Sequence, residues 1–283
     1  MALERADSSA RVLGARALAA RDGAGPAAAF SALAAAGPDG LVPPVGTGGA
    51  VAARHLEYAT RIALADRSLP DDVIEALSHA ATAARAQAGG ANALDPRGVA
   101  IAVRREVAAV RGLVADGLPR HEDWHEMRLG TFLPRAGWMS ALLLSCAQVA
   151  GREPGTGPAV WHAAALVAGV DAGGRAAATT ARTLLGDRDV PVSVAYAMDQ
   201  VAGALLALSR RGVADGGPLA LARATSARLA TACAPNAPSD VEVGAIADVL
   251  EAIGAIAGAT YAHGGTHRAV NPEPAAAPEA VAA

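Results

Sequence analysis

Residues 61–87 are RIALADRSLPDDVIEALSHAATAARAQ, and residues 182–208 are RTLLGDRDVPVSVAYAMDQVAGALLAL. The two segments align without gaps at an offset of 121 residues, and both contain Asp-Arg-x-x-Pro between apolar stretches. Proline lacks a backbone N–H and is tolerated at a helix start. The shared pattern therefore predicts a helix end, a short turn and a new helix start in each copy.

The turn residues in the two copies suggest how the second helix of each begins. Ser68 and Asp189 occupy equivalent positions and are predicted N-caps, because their side-chain oxygens can accept a hydrogen bond from a backbone N–H of the first turn. Pro70 and Pro191 are then predicted to lie in that first turn. The acidic residue and arginine of each Asp-Arg pair are explained by capping of the turn.

A weaker echo between residues 25–37 and 157–169 extends the repeat upstream. We therefore expect an all-α protein, a duplicated antiparallel helical bundle in which two related helical halves pack together. The predicted halves are residues 1–116, an N-terminally truncated first repeat, and residues 117–266. A disordered tail rich in Pro and Ala is predicted at residues 267–283.

Composition agrees with closely packed helices. Hydrophobic residues make up 52% of the chain and aromatic residues only 3%, with alanine the commonest type. Alanine has the highest helix propensity, whereas strands favour β-branched and aromatic residues. Asp95-Pro96 predicts an N-cap and a first helical residue, and Ser239-x-x-Glu242 predicts a capping box.

Charge and residue usage exclude several classes of function. The net charge of −3 gives no basis for binding nucleic acid. All 24 basic residues are arginine, so Schiff-base and P-loop lysine chemistry are excluded. The uncharged runs are shorter than a membrane span, and no signal segment is evident. We expect a cytoplasmic protein without a membrane partner, with Cys146 and Cys233 as buried free thiols.

Several blocks of the chain resemble the alpha-E domain family, a bacterial all-helical family. Residues 124–137, WHEMRLGTFLPRAG, resemble its W-x-F-x-R-L-G-R-F-L-E-R-A-D block, and residues 184–194, LLGDRDVPVSV, resemble F-L-L-L-D-x-x-x-P-R-S-V. Near the N-terminus, Glu4-Arg5-Ala6-Asp7 followed by Ala10-Arg11 resembles the E-R-A-E/D-x-x-A-R block. Pro134 and Gly137 replace the acidic positions of the second copy, and Pro134 is predicted to kink or break its helix.

The resemblance implies an association and no mechanism. Members of the family resemble accessory components encoded with ATP-grasp-type amide ligases and transglutaminase-like proteins. The expected partner is therefore an ATP-grasp-type amide ligase or a transglutaminase-like protein, and a homodimer is an alternative. No cofactor is expected.

Arginines and carboxylates in equivalent blocks form the best candidate ligand site. In a duplicated bundle these blocks could meet, and paired arginines beside carboxylates can bind a carboxylate or phosphate bidentately. The alternative is a network of structural ion pairs at helix crossings. The candidate residues are Glu4, Arg5, Asp7, Arg11, Arg128 and Arg135.

A candidate metal site is formed by the H-E-x-x-H pattern of residues 121–125. His121 and His125 would share a helix face and could bind zinc, with Glu122 as a general base. No third ligand follows at a suitable spacing, so the alternative is a solvated helix start. His263 and His267 have the same spacing near a predicted helix end.

The sequence therefore favours a non-catalytic accessory or interaction protein, associated with amide-ligase or transglutaminase-like peptide metabolism. The alternative is an enzyme or small-ligand binder that uses the arginine–carboxylate residues or the histidine pair. Trp138 and Trp161 are predicted to be core or interhelical anchors.

Overall fold

The structure is all-α, as the sequence predicts. The computed structural model describes residues 1–22, 24–38, 41–43, 47–65, 69–89, 95–171, 177–212, 216–234 and 243–269. Within these ranges the chain forms eleven α-helices and no strand.

The helices follow one another through short connections. The first five are α1 (Ala2–Asp22), α2 (Ala24–Ala36), α3 (Gly48–Ala65), α4 (Asp71–Gly89) and α5 (Pro96–Gly117). The next three are α6 (Glu122–Arg152), α7 (Gly157–Ala168) and α8 (Ala177–Gly186), with a 3-10 turn at Pro154–Thr156 between α6 and α7. The last three are α9 (Val194–Arg210), α10 (Gly216–Ala232) and α11 (Val243–Ala269).

Helix α1 joins two hydrophobic cores. Ala6 and Ala10 belong to the smaller core, which α1 shares with α3, α4 and α5. Val12, Ala15 and Ala19 belong to the larger core, which is built from α2 and α6 to α11. Alanine on the α1 faces allows the neighbouring helices to approach closely, and α1 packs against α3, α5, α6 and α7.

The predicted duplication remains a prediction. Helix α4, which lies in the first repeat segment, packs on α3 and α5, whereas its counterpart α9 packs chiefly on α6 and α10. Helix α2 belongs to the larger core although it lies in the first half of the sequence. The predicted boundary at 116/117 falls at the last residue of α5.

The helix starts confirm one predicted cap and correct another. Asp95 caps α5, since its carboxylate accepts a hydrogen bond of 2.9 Å from the backbone N–H of Gly98. Helix α9 is capped by Ser193, whose hydroxyl accepts from the N–H of Tyr196, so the predictions of Asp189 as the cap and Pro191 in the first turn were wrong. The intervening residues form a turn in which the Ser193 hydroxyl also donates to the carbonyl of Asp187.

In the first repeat copy, Pro70 likewise does not lie in the first turn of its helix, contrary to the prediction. Pro70 precedes α4, and its carbonyl accepts from the N–H groups of Val73 and Ile74. Ser68 and its neighbours Asp66 and Arg67 lie outside the described residues. The predicted capping box at residues 239–242 and residues 270–283 of the predicted tail also lie outside them, while α11 includes residues 267–269.

Pro134 does not break its helix. Helix α6 continues from Glu122 to Arg152 with Pro134 inside it, so the predicted break is wrong. Leu133 and Ala136, on either side of Pro134, are buried in the larger core, where α6 packs on α9 and α11. Burial on both sides of the proline offsets the lost backbone hydrogen bond, because tertiary packing overrides local propensity.

The two cysteines are free thiols. Cys146 is fully buried and donates a hydrogen bond to the carbonyl of Val160, and burial raises the pKa of its thiol. Cys233 is only partly buried at the end of α10. None of the helices in the described ranges combines the length and hydropathy needed to cross a membrane.

Candidate functional site

Glu4 lies at the centre of an arginine–carboxylate cluster between α1, α5 and α6. Only 4% of its surface is exposed. One carboxylate oxygen accepts hydrogen bonds of 2.9 and 2.6 Å from Nε and Nη2 of Arg111 on α5. The other oxygen accepts bonds of 3.2 and 3.1 Å from Nε and Nη2 of Arg135 on α6. One side chain therefore connects α1 to both neighbouring helices.

Asp7 lies one turn after Glu4 and extends the cluster. Its Oδ2 atom accepts from Nε of Arg11 and from Nη2 of Arg111, both at 3.1 Å, and its Oδ1 atom lies 3.7 Å from Nε of Arg104. Burial raises the pKa of the Asp7 carboxyl, but Arg11 and Arg111 outweigh burial and hold that pKa below its usual value. Asp7 is therefore held as a carboxylate.

The cluster is satisfied by the chain itself. Both oxygens of Glu4 and one oxygen of Asp7 are hydrogen-bonded to guanidinium groups. Arg11 also donates to the carbonyl of Ala168 at the end of α7, which ties the cluster to the larger core. Charge-assisted hydrogen bonds of this kind fix helix positions. The geometry favours the structural alternative for Glu4, Asp7, Arg11 and Arg135.

Two members of the cluster were missed by sequence reasoning. Arg104 and Arg111 lie on α5, in the segment RREVAAVRG, where arginines spaced along an amphipathic helix are typical of a solvated face. Their spacing of seven residues, two helical turns, was the available signal that both lie on one side of α5.

Arg128 is not part of this cluster. It donates a hydrogen bond to the side chain of Gln200 on α9 and packs between the rings of Trp124 and Phe132, at 4.6 and 5.2 Å from their centroids. The guanidinium of Arg120 also lies over the Trp124 ring, 4.1 Å from its centroid, and that of Arg135 lies over the Phe132 ring, 4.9 Å from its centroid. From Arg120 to Arg135, arginines and aromatic rings thus alternate, and Arg135 also pairs with Glu4 of α1.

Arg5 points away from Glu4, because consecutive helix residues are rotated by about 100°. It is exposed and lines two adjoining clefts with Ser8 of α1 and Trp138 of α6. Within the described ranges Arg5 has no ion pair. The structure therefore separates the six predicted ligand residues into three places. Four lie in the buried cluster, Arg128 packs against the aromatic rings of α6, and Arg5 lines an open cleft.

The histidine pair lies at the start of α6. His121 is the N-cap residue and is exposed, while His125 lies in the first turn with a buried Nδ1 atom that has no hydrogen-bond partner. Burial lowers the pKa of His125, and the charges of Arg211, Arg128 and Arg120 lower it further. Among the described residues, no three His, Cys, Asp or Glu side chains are grouped to hold a metal ion. The side chains of His263 and His267 are not described.

Other singled-out residues have structural contacts. Trp161 is buried in the larger core, and Trp138 packs against that core from a partly exposed position. Arg188 pairs with Asp199 at 2.5 Å, and the Asp187 carboxylate accepts from the N–H of Asp189, as expected of a turn.

The geometry gives the two residues of one dipeptide different environments. Glu4-Arg5 is the only Glu-Arg dipeptide in the chain, and a model of the Alpha-E family, described as a predicted alpha-helical domain with a conserved ER motif, matches residues 2–260. The chain belongs to the Alpha-E family. In this Alpha-E protein the glutamate of the dipeptide is buried in ion pairs, and the arginine faces an open cleft.

No curated protein matches this Alpha-E chain, and no solved structure matches it. The family is described by its helices and its motif, with no reaction.

Proposed function

We propose that this Alpha-E protein is a non-catalytic accessory protein that binds an enzyme of amide or peptide metabolism. The proposed partner is an ATP-grasp-type amide ligase or a transglutaminase-like protein, which is the association implied by the resemblance of residues 124–137 and 184–194 to the family blocks. The chain would then supply a rigid helical surface to the partner.

This proposal depends on the observation that both carboxylate oxygens of Glu4 are already hydrogen-bonded to arginines of the same chain. A general acid or base needs a carboxylate that can reach a substrate. Both oxygens of Glu4 are instead occupied by Arg111 and Arg135, and the side chain is 5% exposed. Asp7 is occupied in the same way by Arg11 and Arg111. The most buried acidic groups of the described chain thus support helix packing.

Helix α3 offers the apolar surface that a partner would need. Tyr58 and Ile62 lie one turn apart and are 51% and 49% exposed. Large apolar side chains that are exposed side by side favour protein contacts, and aromatic residues are enriched at interface centres. Arg61 stacks on the Tyr58 ring at 5.5 Å, which gives the surface a cationic neighbour.

Co-purification with the candidate partners tests the proposal. The full chain is co-expressed with each enzyme, and the affinity of any complex is measured by sedimentation. We expect a complex that Tyr58→Ser/Ile62→Ser weakens by roughly tenfold or more, because hot-spot truncations cost about 2 kcal/mol. Ile101→Ser, which removes an exposed apolar residue of α5, serves as the matched control.

Three results would count against the accessory role. The first is the absence of any complex at micromolar concentrations of both proteins. The second is an equal loss of affinity in the Ile101→Ser control. The third is a homodimer that buries Tyr58 and Ile62, which would identify the second copy as the occupant of this surface.

A further inference from the structure

Arg5 lies where a polar cleft and an apolar cleft meet. The polar cleft has a volume of about 340 Å3, and its lining combines the polar residues Arg5, Ser8, Ser9 and His55 with Pro38, Leu41, Trp138 and Ala141. The apolar cleft has a volume of about 300 Å3, and its lining includes Leu133, Leu250, Ile253 and Gly254. Arg5, Ser8 and Trp138 line both clefts. The two spaces are therefore adjacent and share one wall.

The polar cleft carries positive charge that the described residues do not neutralise. Arg5 has no ion pair there, and burial together with the charges of Arg5 and Arg54 lowers the pKa of His55. Ser8 and Ser9, which carry hydroxyl groups, line the same cleft as Arg5. Glu4 also lines the apolar cleft, but its two oxygens are occupied by Arg111 and Arg135. An anion is the ligand that this cleft favours.

The lining of the apolar cleft determines which chemical group the rest of the ligand should carry. Besides residues of α1, its lining includes aliphatic residues of α6 and α11, and Trp138 lines both this cleft and the polar cleft. Burial of an aliphatic group there removes apolar surface from water on both the ligand and the protein. Ligand sites commonly combine such a lining with a few polar groups that fix orientation.

We propose that the joined clefts bind a small amphipathic carboxylate, with its carboxylate on Arg5 and its apolar side chain against Leu250 and Ile253. A single guanidinium presents two parallel donors that match the two oxygens of a carboxylate. The C-terminal residue of a peptide and an N-acyl amino acid both have this chemistry. The site is independent of the partner surface on α3, so either proposal can fail alone.

Titration calorimetry with N-acetyl-L-leucine tests the charge requirement. We expect micromolar to millimolar affinity for N-acetyl-L-leucine. N-acetyl-L-leucinamide should bind roughly tenfold more weakly, and Arg5→Gln should weaken binding of the acid by a similar factor. The reason is that a charged hydrogen bond contributes about 1.4 kcal/mol or more. Arg152→Gln, which removes an exposed arginine at the end of α6, should bind within about twofold of the unmodified protein. Unchanged melting temperatures show that the variants remain folded.

A pair of glycines in α11 tests the apolar cleft. Gly254 lines this cleft and Gly258 does not, and a Cβ atom at either position meets no atom within 4 Å. Both Gly→Leu substitutions raise helix propensity equally, so they are matched in stability. We expect Gly254→Leu to abolish binding of N-acetyl-L-leucine and Gly258→Leu to leave it unchanged.

The proposal is overturned by any of four outcomes. The first is no detectable binding of N-acetyl-L-leucine at about 10 mM or below. The second is equal binding of the acid and its amide, and the third is unchanged binding in Arg5→Gln. The fourth is an equal effect of Gly254→Leu and Gly258→Leu on binding. Tighter binding of phenyl phosphate than of N-acetyl-L-leucine would overturn the carboxylate assignment and identify a phosphate site.

Discussion

Arg111 on α5 donates two hydrogen bonds to a single carboxylate oxygen of Glu4 on α1, at 2.9 and 2.6 Å, across 107 residues of sequence. The second oxygen of Glu4 accepts from Arg135 on α6. Helix α5 belongs to the smaller core and α6 to the larger one. Glu4 is therefore a polar link between the two cores of this Alpha-E protein.

Removal of the Glu4 charge should destabilise the fold strongly. We expect Glu4→Gln to lower the free energy of unfolding by about 3–5 kcal/mol, because it leaves Arg135 partly buried without a counter-charge and leaves Arg111 with Asp7 alone. Guanidinium chloride denaturation followed by circular dichroism measures this change.

Glu57 on α3 provides the matched control. It pairs with Arg85, whose side chain is 70% exposed, at 2.7 Å. Glu57→Gln should therefore cost only about 0–1 kcal/mol. Equal losses in the two variants would show that burial of the Glu4 pairs contributes nothing.

Acid should destabilise the protein through Asp7. Because Arg11 and Arg111 hold the pKa of Asp7 below its unfolded value of about 3.9, the unfolded chain binds this proton first as pH falls. The stability that Asp7 contributes is present above the unfolded pKa and is lost as pH falls through the folded pKa. The melting temperature should therefore decrease as the pH is lowered from about 5.

The Asp7→Asn variant isolates this contribution. Its melting temperature should be lower at neutral pH and should change less between about pH 5 and pH 3 than that of the unmodified protein. Asp116→Asn, at an exposed position of α5, should retain the full acid dependence. An acid dependence in Asp7→Asn as steep as in the unmodified protein would remove Asp7 from the account.

The sequence was sufficient for the fold class and for part of the cluster. Alanine-rich segments and Asp95-Pro96 predicted helices that the structure contains. Glu4, Asp7, Arg11 and Arg135 were grouped as candidate ligand residues, with structural ion pairs as the alternative, and the structure brings these four together in ion pairs. Repeated blocks carried that grouping, because equivalent positions on related helices were expected to meet. Arg128 was grouped with them wrongly, since its aromatic neighbours on α6 and Gln200 provide its contacts.

Contacts between helices that are far apart in the sequence could not be predicted from the sequence. Arg111 meets Glu4 only because α5 packs along α1, and nothing local to residues 96–117 distinguishes an arginine that faces α1 from one that faces water. Pro134 was misjudged for the related reason that its local cost is outweighed by burial of the flanking residues in the larger core.

Pro134 should still lower the stability of α6. It lacks the N–H that would donate to the carbonyl one turn earlier. We expect Pro134→Ala to raise the free energy of unfolding by up to about 3 kcal/mol in urea denaturation. Pro96→Ala, at the first position of α5, should have little effect, because no intrahelical partner exists for that N–H. A destabilised Pro134→Ala variant would mean that the surrounding helices require the proline.

The histidine pair of α6 should not hold zinc. The charges of Arg120, Arg128 and Arg211 act on His125 and oppose a divalent cation as they oppose a proton. Elemental analysis of the purified protein should therefore give far less than one zinc per chain. One zinc per chain, lost in His121→Ala/His125→Ala, would contradict this expectation and make Glu122 a candidate base.

A double-mutant cycle on Glu4 and Arg135 tests the central claim, that a buried ion pair joins α1 to α6. The free energy of unfolding is measured for the unmodified protein, Glu4→Gln, Arg135→Gln and the double variant. The account predicts a coupling energy of about 1–3 kcal/mol, because Glu4→Gln leaves Arg135 without a counter-charge and Arg135→Gln leaves one buried oxygen of Glu4 without its donors. Additive losses, with a coupling energy near zero, would show that Glu4 and Arg135 act independently and would contradict the account.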